Sequence, residues 1–222
     1  DTAIGACSVA VWEKTVKASN QKIMSRGHVE ELVPMVKQTL QKSGLNFDQL
    51  DLIAVTIGPG SFTGLRTGLA AAKGIGLALN IPVHGVTTLE AIAFAAKRDR
   101  VLHRKFPIVV VLETNREELF FQQFDGNAIG QFEAKAGLES FIVGKLPRGS
   151  FCLCGDAARR VVAALPPPER EQAIHLTAIK RPKAEDVAEI AAGRFEKPIR
   201  AAPLYIHPPS AKIPLFGGRA RP

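Results

Sequence analysis

Gly58-Pro59-Gly60 stands between an apolar run and a helix-like stretch, a place where backbone N–H groups can gather around a phosphate. Its spacing matches neither the Walker A loop nor Gly-x-Gly-x-x-Gly, so a plain structural turn is the better account of it. Asp1-Thr2, followed by Ser8 in a hairpin, could hold a metal-bound phosphate, although polar residues at strand ends are common. His28, His84, His103, His175 and His207 never fall at the three- or four-residue spacing of a helical metal pair. Ser61 is separated from Gly64 by Phe62-Thr63, which is not the Gly-x-Ser-x-Gly turn of a nucleophile elbow. No nucleophile has a base near it in sequence, so these residues make no case for catalysis.

Cys7, Cys152 and Cys154 are odd in number and form no disulfide framework, which fits a reducing cytosol. Cys152-Leu153-Cys154 alternates as a strand would, so its two thiols share a face and read as small buried hydrophobes.

The element that must position everything else runs from residue 55 to residue 79. Residues 52–57 are apolar and partly β-branched and stop at Gly58-Pro59-Gly60, as a buried strand ended by a turn would. Ser61 or Thr63 can cap the helix that follows. At about 100° per residue, Leu65, Leu69, Ala72, Ile75, Gly76 and Leu79 share one face. The opposite face carries Thr67, Ala70, Ala71, Gly74, Leu77 and Ala78, with only Arg66 and Lys73 charged. A helix apolar nearly all round is covered on both sides. Each interior glycine costs roughly 1 kcal/mol relative to alanine, so Gly64, Gly68, Gly74 and Gly76 imply close approach by neighbouring elements. One of those neighbours is expected to be another protein.

Before this block, residues 1–3 read as the end of a first strand and residues 7–12 as the second arm of a hairpin turning at Ile4-Gly5-Ala6, with a third strand near residues 13–16. Residues 25–42 read as a helix stopped by Ser43-Gly44. Its apolar residues Val29, Leu32, Val33, Met35, Val36 and Leu40, with His28, span about 160°, wider than the usual stripe of about 100°. Pro34 should kink that helix or begin a new one. Residues 81–86 read as a strand and 87–97 as a helix, giving an α/β layer with a mixed sheet. A second half follows the basic stretch 98–105. Strands are expected at 108–112, 117–124, 128–132 and 151–154, helices at 156–164 and 183–195, and an extended proline-rich tail at 203–222.

With 222 residues, 46% hydrophobic and 23% charged, the chain has the composition of a soluble globular protein. It holds no run of about 18 apolar residues that would span a membrane. A formal charge of +8 suggests an acidic partner such as nucleic acid, or simply a solvated basic surface. No signal peptide is visible, and opening on Asp1 without a methionine leaves room for a natural start further upstream.

Ser25-Arg26-Gly27-His28 through Pro34, Ile57-Gly58-Pro59-Gly60-Ser61-Phe62-Thr63-Gly64-Leu65-Arg66 with Gly68 and Lys73, and Thr87-Thr88-Leu89-Glu90-Ala91 together resemble the bacterial TsaB family, also called YeaZ. The likeness covers most of residues 1–97. In the second half Cys154-Gly155-Asp156-Ala157 and Pro203-Leu204-Tyr205-Ile206 fit best. The resemblance implies an α/β fold of the actin-like (ASKHA, ribonuclease H-like) kind with two related lobes. These would be an N-terminal lobe at 1–97 carrying partner-binding helices, and a C-terminal lobe at 98–222 with a basic tail. It implies a cytoplasmic, non-catalytic subunit without a cofactor, which stabilises TsaD in making N6-threonylcarbamoyladenosine at position 37 of tRNAs reading codons that start with A. TsaE, an ATPase, would join in a ternary complex, and tRNA would be contacted within it. TsaD-type relatives carry a His-x-x-x-His metal pair where this chain has Thr88 and Ile92, neither a strong ligand. The implied interface with TsaD, or with a second copy in a homodimer, uses His28, Leu32, Met35, Arg66, Thr67, Ala70, Lys73, Gly74 and Leu77. The alternative is an actin-like-fold enzyme. It would be a metalloprotease-like hydrolase, or a kinase binding nucleotide through Asp1, Thr2 and Ser8 with Gly155 and Asp156.

Overall fold

The structure, a computed structural model, describes residues 1–99 and 106–207. Most of the basic stretch and the tail beyond residue 207 lie outside them. The chain opens with an antiparallel hairpin of β1 (Ala6–Glu13) and β2 (Thr15–Ile23). Its turn is at Lys14, which adopts φ 58°, and not at Ile4-Gly5-Ala6. No Gly or Asn signals a left-handed turn there, so the sequence places the hairpin one strand too early. Residues 1–3 are accordingly not a strand, although Asp1 and Ser8 exchange backbone hydrogen bonds of 2.8 and 2.9 Å.

Helix α1 (His28–Ser43) begins after Gly27 and ends at Gly44, both left-handed, at φ 83° and 75°. It runs through Pro34 without a break. The proline removes one backbone bond, and burial of Leu32 and Met35 on either side of it offsets the loss. β3 (Ile53–Gly58) and β4 (Val83–Thr87) are parallel and joined by α2 (Phe62–Leu79). The Ser61 hydroxyl accepts the Gly64 N–H at the start of α2 (3.3 Å), and Thr87 caps α3 (Thr88–Lys97) by accepting the Glu90 N–H (3.1 Å). Where one mixed sheet is expected in this half, the structure has two separate pairs, β1-β2 and β3-β4.

The second half holds a five-stranded sheet. β5 (Ile108–Leu112), β6 (Leu119–Phe124), β7 (Lys135–Gly137), β8 (Phe151–Cys154) and β9 (Ala173–His175) lie in the order β7-β6-β5-β8-β9. β8 is parallel to both of its neighbours, and β6 antiparallel to both of its own. The strand expected at 128–132 is absent. The Asp125 carboxylate accepts the N–H groups of Asn127 and Ile129 (2.8 and 2.9 Å) and turns the chain, leaving Gly130 one isolated bridge to Phe124. Strand alternation divides β8 between two cores. Cys152 and Cys154 pack with Leu89 and Ile92 of α3, while Phe151 and Leu153 pack with Phe121, Ile142 and Val161. Burial raises the Cys152 thiol to about 11 and Cys154 higher still, so both behave as inert small hydrophobes. Short helices α4 (Glu139–Val143), α5 (Ala158–Ala164) and α6 (Pro167–Gln172) cover this sheet's connections.

The last helix, α7 (Ala184–Ala192), returns to the first half. Val187, Ile190 and Ala191 pack on Val86 of β4 and Ala91 of α3. The Ala184 N–H is accepted by the Ser8 hydroxyl (3.1 Å), and the Gly85 N–H by the Ile199 carbonyl (2.7 Å). Asp186 in the first turn of α7 is 5% exposed. Burial raises its carboxyl from an ordinary 3.8 to about 6, against the opposing pull of Arg98 at 3.1 Å. The folded chain therefore holds a proton there that the unfolded chain releases. The stability this gives is complete below about pH 4 and is lost as the pH rises through about 6. Asp186→Asn removes that slope, so it is expected to gain roughly 1–3 kcal/mol over the parent between pH 4 and 7.5, read by urea unfolding at each pH. An equal difference at both pH values would refute the raised carboxyl.

Candidate partner interface

Helix α2 uses its glycines in two ways. A Cβ on Gly64 would collide with the Thr2 carbonyl oxygen, one on Gly68 would come within 2.6 Å of the Thr2 hydroxyl, and one on Gly76 would collide with the Val83 side chain. These three let residues 1–3 and β4 approach the helix within this chain, as the glycine count predicts. Gly74 differs, because among the described residues nothing lies within 4 Å of the Cβ it lacks.

Arg66, Ala70, Lys73, Gly74 and Leu77 are exposed and spaced at i, i+4, i+7, i+8 and i+11, one stripe along α2. Thr67 flanks it, half-buried, its hydroxyl donating to the Thr63 carbonyl (3.0 Å). Leu77, in the last turn of α2, is 84% exposed, an extreme value for a helical leucine. At the N-terminal end of the stripe the Arg66 guanidinium lies 3.6 Å from the centre of the exposed Phe62 ring, and its Nε donates to the Tyr205 hydroxyl (3.4 Å). Tyr205 is brought there by the Leu204 N–H, which donates to the Ile57 carbonyl (2.7 Å). Phe62 and Tyr205 are members of this patch that sequence reasoning misses. Exposure of Phe62 is legible from the helix phase, whereas the return of Tyr205 across 139 residues is not.

On α1 the structure corrects two assignments. Leu32 and Met35 are 5% and 3% exposed and pack with Cys7 and Ala71 beneath the surface. The wide apolar arc is real, but its inner half faces β1, and the open half carries Val29 (63% exposed) and Val33 (50%). His28 is half-buried, its Nε2 enclosed without a hydrogen-bond partner among the described residues. Because α1 and α2 meet through Ala71 in this cluster, their open faces lie side by side.

The residues considered for nucleotide take part in hydrogen bonds of the fold itself, although Asp1 Oδ2 is buried with no partner among the described residues. The Asp1 carboxylate accepts the Thr56 hydroxyl (2.7 Å) and the Ala3 N–H (2.9 Å), the buried Thr2 hydroxyl donates to the Gly64 carbonyl (2.7 Å), and Ser8 caps α7. Gly155, at φ 102°, is pressed against the Val111 carbonyl and donates its N–H to Ile179 (2.8 Å). Asp156 accepts the Glu113 N–H (2.9 Å), and burial raises its carboxyl. Among the described residues no hydrogen bond or ion pair joins Asp1, Thr2 or Ser8 to Gly155 or Asp156. Thr88 and Ile92 are fully buried. Among the described residues no three His, Cys, Asp or Glu side chains gather as a metal site, and no helix is long and apolar enough to cross a membrane.

A family model described as "TsaD: tRNA N6-adenosine threonylcarbamoyltransferase" matches residues 16–136. Proteins named tRNA threonylcarbamoyladenosine biosynthesis protein TsaB are similar in sequence. The Haemophilus influenzae protein is 35% identical over 123 residues, 55% of this chain and 51% of that one. The Escherichia coli protein is 32% identical over 130 residues, 59% of this chain and 55% of that one. The chain thus matches little more than half the length of these relatives. An uncharacterized protein of Mycobacterium tuberculosis is 30% identical over 220 residues, 96% of this chain and 92% of that one. In three dimensions the chain matches YeaZ from Pseudomonas aeruginosa with a TM-score of 0.79 at 23% identity, covering 92% of this chain and 96% of that one, which shows a shared mixed α/β fold. The glycine-rich α2 falls within the matched family region, and on these likenesses together the chain belongs to the TsaB (YeaZ) family.

Proposed function

We propose that this chain is a non-catalytic, cytoplasmic scaffold subunit that binds and stabilises TsaD in the complex making N6-threonylcarbamoyladenosine at position 37 of tRNAs reading codons that start with A. TsaE joins in a ternary complex, and tRNA is contacted within the assembly. The observation that carries this reading is the open stripe of α2, where Gly74 keeps a helix-interior glycine with no neighbour at its missing Cβ among the described residues and Leu77 stands uncovered by them. A helix approaching that closely brings backbone against backbone, which Gly74 and Ala70 permit. The contact residues are Arg66, Thr67, Ala70, Lys73, Gly74 and Leu77 of α2, with His28, Val29 and Val33 of α1. In isolation the same surface serves a second copy of the chain. The fold is of the actin-like kind with two lobes. We assign residues 1–97 to the first, with α7 and the segment around Ile199 returning to it.

Size-exclusion chromatography with light scattering on this chain, alone and mixed with TsaD from the same organism, tests the reading. A one-to-one heterocomplex is expected, and its absence with and without nucleotide overturns the proposal. Gly74→Ala sharpens the test. In the isolated chain it is expected to stabilise by about 0.5–1 kcal/mol, the helix-propensity gain at an open position. In the mixture it should weaken the complex, because the added methyl occupies the approach. Unchanged affinity would move the interface off this stripe.

A further inference from the structure

β7 is the last strand at its end of the second half's sheet. Its Lys135 stands opposite Phe121 of β6, so the two side chains share a face, the one α4 covers through Ile142. Gly137 stands opposite Leu119 on that face, and the Cβ it lacks would come within 2.6 Å of the Phe141 ring. Two rings meet the buried Phe121 edge-on, Phe132 at 5.8 Å and Phe141 at 5.9 Å between ring centres. They form an outer rim, Phe132 half-buried and Phe141 44% exposed. A lysine attends each ring, Lys135 Nζ at 5.4 Å from the centre of Phe132 and Lys145 Nζ at 5.8 Å from that of Phe141. Arg148 follows three residues on, also exposed. The segment carrying Lys145 is tied to β6, because Gln123 Nε2 donates to the Lys145 carbonyl.

Charge on this rim is unbalanced. Among the described residues no carboxylate forms an ion pair with Lys135, Lys145 or Arg148. Of the acids beside the rings, Glu139 is held by Arg160 at 2.6 Å, which leaves exposed Glu133 against three cations. An apolar partner would strip water from those cations without pairing them. A partner that is both flat and polyanionic suits the arrangement, its bases stacking on the rings and its phosphates meeting the cations. A duplex keeps its base faces stacked inside, so the ligand that fits is unpaired. We infer that Phe132, Lys135, Phe141, Lys145 and Arg148 form a stacking platform for unpaired RNA nucleotides, on the half of the chain that does not carry α2. The inference rests on the proposed function only for which RNA arrives, and on this geometry for where it binds.

Fluorescence anisotropy with a labelled single-stranded RNA of about 12 nucleotides, on the full chain, tests it. Lys135→Ala with Lys145→Ala is expected to weaken binding at least about 10-fold at roughly 50 mM salt, and to lower the slope of log affinity against log salt by about 1.4. Lys37→Ala with Lys42→Ala, the same charge change at exposed positions of α1, should leave affinity within about twofold. Phe141→Leu keeps an apolar side chain over Phe121 and is expected to cost about 5- to 30-fold with the salt slope unchanged. Both rim lysines are exposed, so their variant carries the test where Phe141→Leu lowers Tm. No binding by the parent chain overturns the inference. Equal loss in the two lysine pairs would reduce the effect to general charge, and equal affinity for a duplex of the same length would deny stacking. Displacement by polyglutamate as readily as by RNA would make the patch a site for an acidic protein. Each of these results overturns the inference as well. Size exclusion with TsaD on the rim-lysine variant separates this inference from the scaffold reading. The heterocomplex should persist, and its loss in that variant would assign the rim to TsaD instead of RNA. Failure of the parent chain to bind TsaD strikes the scaffold reading and leaves the RNA measurements to decide this one.

Discussion

Ala70→Arg is expected to weaken binding to TsaD by at least about 100-fold, while the isolated chain melts within a degree or two of its parent. Ala70 is exposed, so in the free chain the arginine extends into water and costs little. In the complex it would be buried at the centre of the stripe, one helical turn from both Arg66 and Gly74 and three residues from Lys73. An unpaired buried charge costs several kcal/mol, and here its neighbours in the same chain carry the same sign. The side chain would also fill the space that Gly74 leaves for the approaching backbone. Calorimetric titration measures the affinity and a thermal melt checks the fold. Parent-like affinity would remove α2 from the interface. Loss of affinity together with a lowered Tm would show instead that Ala70 supports the fold.

The parts of this surface that could be read from sequence are those set by local periodicity. The phase of α2 is fixed by Leu65, Leu69 and Ala72, which are buried as expected, so its opposite face could be named residue by residue. On α1 the same reasoning yields a wide arc without saying which half is inward. Cys7 decides that by packing against Leu32 and Met35, a contact between distant residues that no helical period encodes. The hairpin at Lys14 is not legible for a related reason, because its left-handed residue is a lysine with no turn signature. β7, three residues long, carries too few positions to show alternation. The return of α7 onto β3 and β4, and of Tyr205 onto Arg66, depends on where the second half folds. Only the assembled structure shows that the chain's last described residues help to build the first half's surface.

Gly64→Ala is expected to destabilise the chain by about 2–3 kcal/mol, a fall in Tm of roughly 5–10 °C for a protein of this size, although alanine is the better helix former by about 1 kcal/mol. Two opposing effects meet at this position, and the geometry decides which is larger. The methyl would overlap the Thr2 carbonyl oxygen, which belongs to the backbone and cannot swing aside as a side-chain tip can. Residues 1–3 would have to lift from α2. That would break the bond from the Thr2 hydroxyl to the Gly64 carbonyl (2.7 Å) and the bond from the Ser61 N–H to the Ala3 carbonyl (2.9 Å). The pairing of Asp1 with Ser8 would loosen with them, and α2 would lose its tie to β1. Gly74→Ala is the internal control, since it makes the same chemical change on the same helix at a position with none of the described residues within 4 Å. The two substitutions should therefore shift Tm in opposite directions. If both raise it, residues 1–3 do not lie in the groove at Gly64, and the close approach inferred for this helix is wrong where it matters most.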